Sequence, residues 1–262
     1  MTARGVPGGA GASGDARASG PDPARLLRDG LEQLSVPDPG RVLDLMERYL
    51  DELERWNPRF GLVKASDRGE LVVKHVLDSL SAWRAVREAI PPGTGAVLDV
   101  GSGAGLPGIP LAAAMPDVSF TLLERMARRV SFLRTCGVLL GLPLLRVVQA
   151  DLSDADGDFD VITFRAVAPV DRFLSDLGAS RVRWRTIVAY KGREDRVREE
   201  IAAAGRSAAA GPSASAGVRF AIETLHPPFL SEERCLLIVT REEPAAGSRP
   251  PAGRAGDRAT GG

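Results

Sequence analysis

Cysteine and histidine are scarce. Two cysteines, Cys136 and Cys235, stand far apart in 262 residues, with only two histidines beside them. A disulfide framework is excluded, and no Cys–His cluster has the spacing of a zinc site. Two reduced, buried cysteines suit the cytosol. Charge of one sign is also lacking: 34 basic residues balance 34 acidic ones. Bulk charge therefore names no nucleic-acid partner, and such a partner would need a local basic patch. No apolar run reaches the length of a membrane helix. The first twenty residues, MTARGVPGGAGASGDARASG, contain no apolar h-region of a signal peptide. Internal repeats are missing, and so is a nucleophile with an oriented base.

What is present is ample core material, 44% apolar residues. Residues 1–22 and 243–262 are poor in it and read as disordered tails. Residues 23–92 read as a helical N-terminal cap. Val42, Leu43, Leu45, Met46, Tyr49, Leu50, Leu53 and Trp56 recur there at helical spacing. Asp67-Arg68-Gly69-Glu70 reads as a capping box for a third helix, whose apolar face runs from Leu71 through Val76 and Leu80 to Trp83. Residues 93–242 alternate strand and helix. Strands are expected over 96–100, 118–124, 145–150, 161–164 and 186–190, and helices over 126–140, from about 170, and over 194–204. A loop follows over 205–217, then a final hairpin of 218–225 and 235–240. This order predicts an α/β, doubly wound sheet with one antiparallel strand near its edge.

The chain is organised around Val97-Leu98-Asp99-Val100-Gly101-Ser102-Gly103-Ala104-Gly105-Leu106-Pro107. A short apolar strand breaks into glycines and resumes as a helix, with Pro107 suited to its first turn. Gly101 turns the chain out of the strand. Gly103 and Gly105 keep Cβ atoms away from a ligand. The spacing is G-x-G-x-G, not the dinucleotide G-x-G-x-x-G. Asp99 precedes the turn, where a carboxylate repels a pyrophosphate and attracts an ammonium or sulfonium. Glu124 closes the second strand, where a ribose-binding acid falls. The pattern fits S-adenosylmethionine, with a dinucleotide and an unliganded turn as the other readings.

Other polar residues gather at strand ends. Leu152 and Ser153, after the third strand, are placed to read and pack on an adenine. Arg165, after the fourth, faces a cofactor carboxylate or an RNA phosphate. Lys191, after the fifth, can meet a substrate phosphate. Arg125, Arg128 and Arg129 share one helical face beside Glu124, which makes that face a candidate for RNA contact. His75 and Asp78 lie one turn apart. A catalytic pair is conceivable there, against a structural histidine hydrogen-bonded where cap meets sheet.

Several separated stretches together resemble one family. They are Leu53-Glu54-Arg55-Trp56-Asn57, Val73-Lys74-His75-Val76-Leu77-Asp78-Ser79-Leu80, Leu98 to Leu111, Arg129-Val130-Ser131-Phe132-Leu133-Arg134, Arg165-Ala166-Val167-Ala168-Pro169 and Tyr190-Lys191-Gly192. The chain is similar to the bacterial small-subunit ribosomal RNA methyltransferase G family, also called glucose-inhibited division protein B. The resemblance implies a Rossmann-like S-adenosylmethionine-dependent methyltransferase with a seven-stranded sheet. It implies methyl transfer to N7 of a guanine in 16S rRNA, with 16S rRNA or the small ribosomal subunit as partner. A cytoplasmic monomer without membrane or metal is expected. By motif position, cofactor contacts fall on Gly101, Leu106, Leu152, Ser153 and Arg165, and Lys191 and Arg234 become substrate-side basic residues. The chain departs from the family pattern at Phe164, Ser153, Arg125-Met126-Ala127-Arg128-Arg129 and Gly61-Leu62-Val63.

The chemistry agrees with the missing base. Guanine N7 carries a lone pair and no proton, so placement of the base carries most of the task. Arg165 and Lys191 are the positioning candidates. The competing functions are a methyltransferase acting on another RNA or a small molecule, and a non-catalytic cofactor-binding regulator.

Overall fold

A computed structural model of the chain describes residues 21–93, 95–209 and 217–242. Most of the two expected tails, and the middle of the loop expected over 205–217, lie outside the described residues.

Two long helices open the fold, α1 (Pro23–Gln33) and α2 (Pro39–Phe60). Asp22 caps α1 by accepting the Ala24 N–H, and Gly61 ends α2 in the left-handed conformation. The expected third helix is real but broken into pieces: α3 (Arg68–Leu71), a π-helical turn (Val72–Leu77), α4 (Asp78–Leu80) and α5 (Trp83–Ala89). Its capping box is offset by one residue. Asp67 accepts the Glu70 N–H at 2.9 Å, but Glu70 reaches back to the N–H of Ser66, not Asp67. The break after Leu80 has a local cause. Ser79 Oγ donates to His75 O, and Ser81 Oγ donates to Asp78 O. Such bonds compete with the helix ladder.

From there the chain alternates. The elements are β1 (Ala96–Val100), α6 (Gly108–Ala114), β2 (Ser119–Leu123), α7 (Ala127–Leu140), β3 (Leu145–Val148), β4 (Asp156–Arg165), α8 (Val170–Ala179), β5 (Arg181–Lys191), α9 (Glu194–Ala209), β6 (Val218–Leu225) and β7 (Arg234–Arg241). They form one seven-stranded sheet in the order β3-β2-β1-β4-β5-β7-β6. All pairs are parallel except those of β7 with β5 and β6. The expected doubly wound sheet is correct, and its reversed strand lies one place in from the edge. Three boundaries differ by five residues. β4 and β5 each begin five residues earlier than the apolar runs indicate. The helix α9 continues to Ala209, over the start of the expected loop.

Strand alternation divides the core in two. Val97, Phe120, Leu122, Val161, Val188 and Leu236 face the N-terminal helices, α6 and α7. Leu98, Val100, Leu123, Ile162, Phe164, Ile187, Leu237 and Val239 face α8 and α9. The cap thus shares its apolar core with one sheet face. The strand order reverses between β1 and β4, and a doubly wound sheet opens its crevice at that point.

Candidate active site

The C-terminal ends of β1, β2, β4 and β5, with the π-helical turn, surround a cavity of about 1380 Å³. One side is the glycine turn. Gly101 and Gly103 have φ of +67° and +59°, a conformation that favours glycine. A Cβ on Gly103 would meet no atom nearer than 3.8 Å, so the missing side chain leaves space on the cavity wall. The cap holds this turn in place: Tyr49 on α2 donates its hydroxyl to Ala104 O at 2.8 Å.

Glu124 closes β2 at the cavity wall, 3% exposed. Its oxygens accept the N–H groups of Gly103 at 3.0 Å and Met126 at 2.9 Å, and Arg129 lies 3.7 Å away. A carboxylate oxygen offers two lone pairs, so each retains acceptor capacity. The carboxylate is thereby fixed against the glycine turn, as a ribose-binding acid must be. Ala150, Asp151 and Leu152 continue the wall after β3. Backbone open to close approach, a fixed acid and an apolar side chain together fit an adenosine-type cofactor.

The opposite side is basic. Asp78, 3% exposed, accepts Arg165 Nη1 on one oxygen at 3.2 Å and Arg234 Nε on the other at 3.1 Å. Arg165 Nη2 donates to His75 Nδ1 at 3.3 Å, and His75 Nε2 lies 3.1 Å from Lys64 O. Both bonds are satisfied only by a neutral ring with the proton on Nε2. Burial and the Arg165 charge push the His75 pKa down, consistent with that state. His75 thus bridges the cap and the end of β4 by hydrogen bonds, the arrangement the structural reading describes, and it also lines the cavity. The π-helical turn carries Lys74 and His75 and leads directly into Asp78, a placement common for π-turns at functional sites. Lys191 extends from β5 to Glu200 Oε2 at 2.7 Å and is 11% exposed on its side chain.

Of the residues expected at the site, Gly101, Gly103, Leu106, Glu124, Leu152, Arg165, Arg125, Arg129, Lys191 and Arg234 all line the cavity. Four do not. Asp99 is fully buried beneath the turn, and its carboxylate accepts the Gly108 N–H at 3.2 Å and the Thr163 hydroxyl at 3.3 Å. It steadies the start of α6 instead of meeting a ligand. Gly105 serves packing: a Cβ there would lie 2.3 Å from Ile109 Cδ1. Ser153 and Arg128 are exposed outside the cavity wall. The sequence reading missed Lys64, Lys74, Arg172, Asp176, Tyr190 and Glu200 in that wall. It also missed the true partners of Asp78. They lie 87 and 156 positions away, beyond any local pattern.

Strand order 3-2-1-4-5-7-6 with a reversed β7, a glycine turn after β1 and an acid ending β2 define a Rossmann-like methyltransferase, whose methyl donor is S-adenosylmethionine. The sequence model of the rRNA small subunit methyltransferase G family matches residues 42–220. The chain belongs to that family. It is 36% identical over 227 residues to ribosomal RNA small subunit methyltransferase G of Treponema pallidum (strain Nichols), covering 84% of this chain and 95% of that protein. It is 39% identical over 181 residues to the protein of that name from Halorhodospira halophila, covering 69% and 83%. Among solved structures, it resembles magnesium protoporphyrin IX methyltransferase from Synechocystis PCC 6803 with bound SAM. That match has 16% identity and a TM-score of 0.48, over 84% of this chain and 98% of the other.

Proposed function

We propose that this chain methylates N7 of a guanine in 16S rRNA, working as a cytoplasmic monomer on that RNA or on the small subunit that contains it. One observation carries the reading: a single cavity joins the turn at Gly101–Gly103 and Glu124 to the basic side formed by Arg165, Lys191 and Arg234. The first set suits a nucleoside, and the second suits anionic groups: the cofactor carboxylate at Arg165 and substrate phosphates at Lys191 and Arg234.

Glu124 would hold the ribose hydroxyls, Leu152 would pack on the adenine, and Arg165 would meet the carboxylate. When bound, S-adenosylmethionine supplies a methyl group already activated on a sulfonium. The chain's residues then bind, orient and exclude water. None has to remove a proton, because guanine N7 has none. Alignment of the base dominates the rate under those conditions. Arg125 and Arg129 at the cavity mouth would steer the RNA backbone. Among the described residues, no helix is long and apolar enough to cross a membrane.

The test is transfer of tritium from labelled S-adenosylmethionine into 16S rRNA lacking the modification, as naked RNA and as small subunits. Base-resolved mapping should place the label on one guanine N7. Label on another atom or another RNA would overturn the substrate assignment. Cofactor binding without transfer to any ribosomal substrate would favour a regulator.

A further inference from the structure

We propose that Asp78, carried by the N-terminal helices, is a positioning residue that orients Arg165 and Arg234 together, so that cap and sheet build one active site. The inference rests on the methyltransferase reading above, in which Arg165 serves the cofactor and Arg234 the RNA.

The geometry is that of a shared anchor. Each oxygen of one buried carboxylate accepts a guanidinium, from the end of β4 on one side and the start of β7 on the other. Two guanidiniums this close repel one another, and the carboxylate between them offsets that repulsion. Each arginine has further fixings: Arg165 on the His75 ring, Arg234 on Glu233 O. A guanidinium carries five N–H donors, so both keep donors after these bonds. Both side chains remain partly open, 21% and 25% exposed, and both line the cavity. A long side chain held by an ion pair at its fork loses little further freedom when it meets a ligand. Tyr190 fixes the backbone of α4 beside Asp78 by donating to Ser79 O at 2.5 Å. The segment that runs from the π-helical turn into α4 therefore does more than cover the sheet.

Three variants test this: Asp78→Asn, Arg234→Lys and Leu80→Ala. Asparagine keeps the shape but replaces one acceptor with a donor, so one guanidinium loses its anchor. Expected for Asp78→Asn is a kcat about tenfold or more below wild type at saturating cofactor and RNA, on the scale that misplacement produces. RNA affinity should not weaken, because both positive charges remain and the opposing one is gone. That split separates positioning from simple electrostatics. Arg234→Lys, at a partly exposed residue that leaves the core intact, keeps the charge without the fork and should also lower kcat more than RNA affinity. Leu80 is buried beside Asp78 but does not line the cavity. Leu80→Ala should lower thermal stability and leave kcat unchanged. A kcat within twofold of wild type in both Asp78→Asn and Arg234→Lys would overturn the proposal, as would an equal kcat loss in Leu80→Ala. A wild-type chain that methylates no RNA would instead overturn the reading beneath it, and the inference with it.

Discussion

Asp99 stands at the C-terminal end of β1, one residue before the strand gives way to the glycine turn. Its position in the sequence suits a ligand carboxylate, yet its side chain is turned under the turn with no exposure. Burial pushes its pKa up to about 7, against the pull of its hydrogen-bond donors and Arg165. An acid with a folded value above its unfolded one favours the fold while protonated. That contribution is complete below the unfolded value of about 4 and is lost as pH rises through the folded value. The Asp99 contribution to wild-type stability should therefore fall between about pH 4 and 7 and level off above that. Asp99→Asn should lack that component of the fall. Thermal melts of both proteins across this range check it, and parallel curves would refute the assignment. Gly103 is the opposite case, a residue that lies on the cavity wall as its sequence position suggests. Gly103→Ala places a methyl on the cavity wall in a left-handed conformation that costs about 1–2 kcal/mol. Stability should drop, and calorimetry with S-adenosylhomocysteine should show weaker binding. Full affinity would mean that this space is not used by the ligand.

Among the elements, those with strong apolar patterns were readable and those held by pairing were not. The expected fourth strand, 161–164, is the buried end of β4. Its other half, Asp156-Gly157-Asp158-Phe159-Asp160, carries a glycine and three acids and resembles a loop. It is a strand because β5 pairs with it, setting Asp156 against Arg181 and Asp158 against Arg183 in register, with ion pairs between them. Nothing local to residues 156–160 contains that information. The helix segment 68–80 shows the same limit, since its period predicts buried Leu71, Val72, Val76 and Leu80 but not a π-turn. The departure at Phe164 also finds its reason between elements. Its ring stacks on Phe173 of α8 with centroids 3.9 Å apart, inside the core between sheet and helix. Phe164→Ala should cost about 3–5 kcal/mol, because it empties a closed site. Urea titration measures this, and a loss under 1 kcal/mol would mean that the site collapses around the smaller residue.

At the scale of the whole molecule, the C-terminal hairpin completes both sheet and site. β7 covers β5 along six register pairs and delivers Arg234 to Asp78. A chain ending at residue 216 would expose the buried edge of β5, including Ile187, Val188 and Ala189. Open apolar edges pair with other chains. This truncated protein should aggregate on expression, and the full chain should not. Light scattering distinguishes the two, and a monodisperse truncated protein would contradict the role given to β7. The amino-acid sequence by itself determined the alternating α/β order, the glycine turn, the acid closing β2 and the family, because each depends on neighbours in the chain or on motifs in fixed order. Only the tertiary structure decided which polar residues meet. It turned Asp99 inward, left Arg128 and Ser153 outside the cavity, and brought arginines from β4 and β7 to one carboxylate of the cap. Those outcomes depend on contacts between segments 64 to 156 residues apart, and hydrophobic period and local propensity carry no record of them.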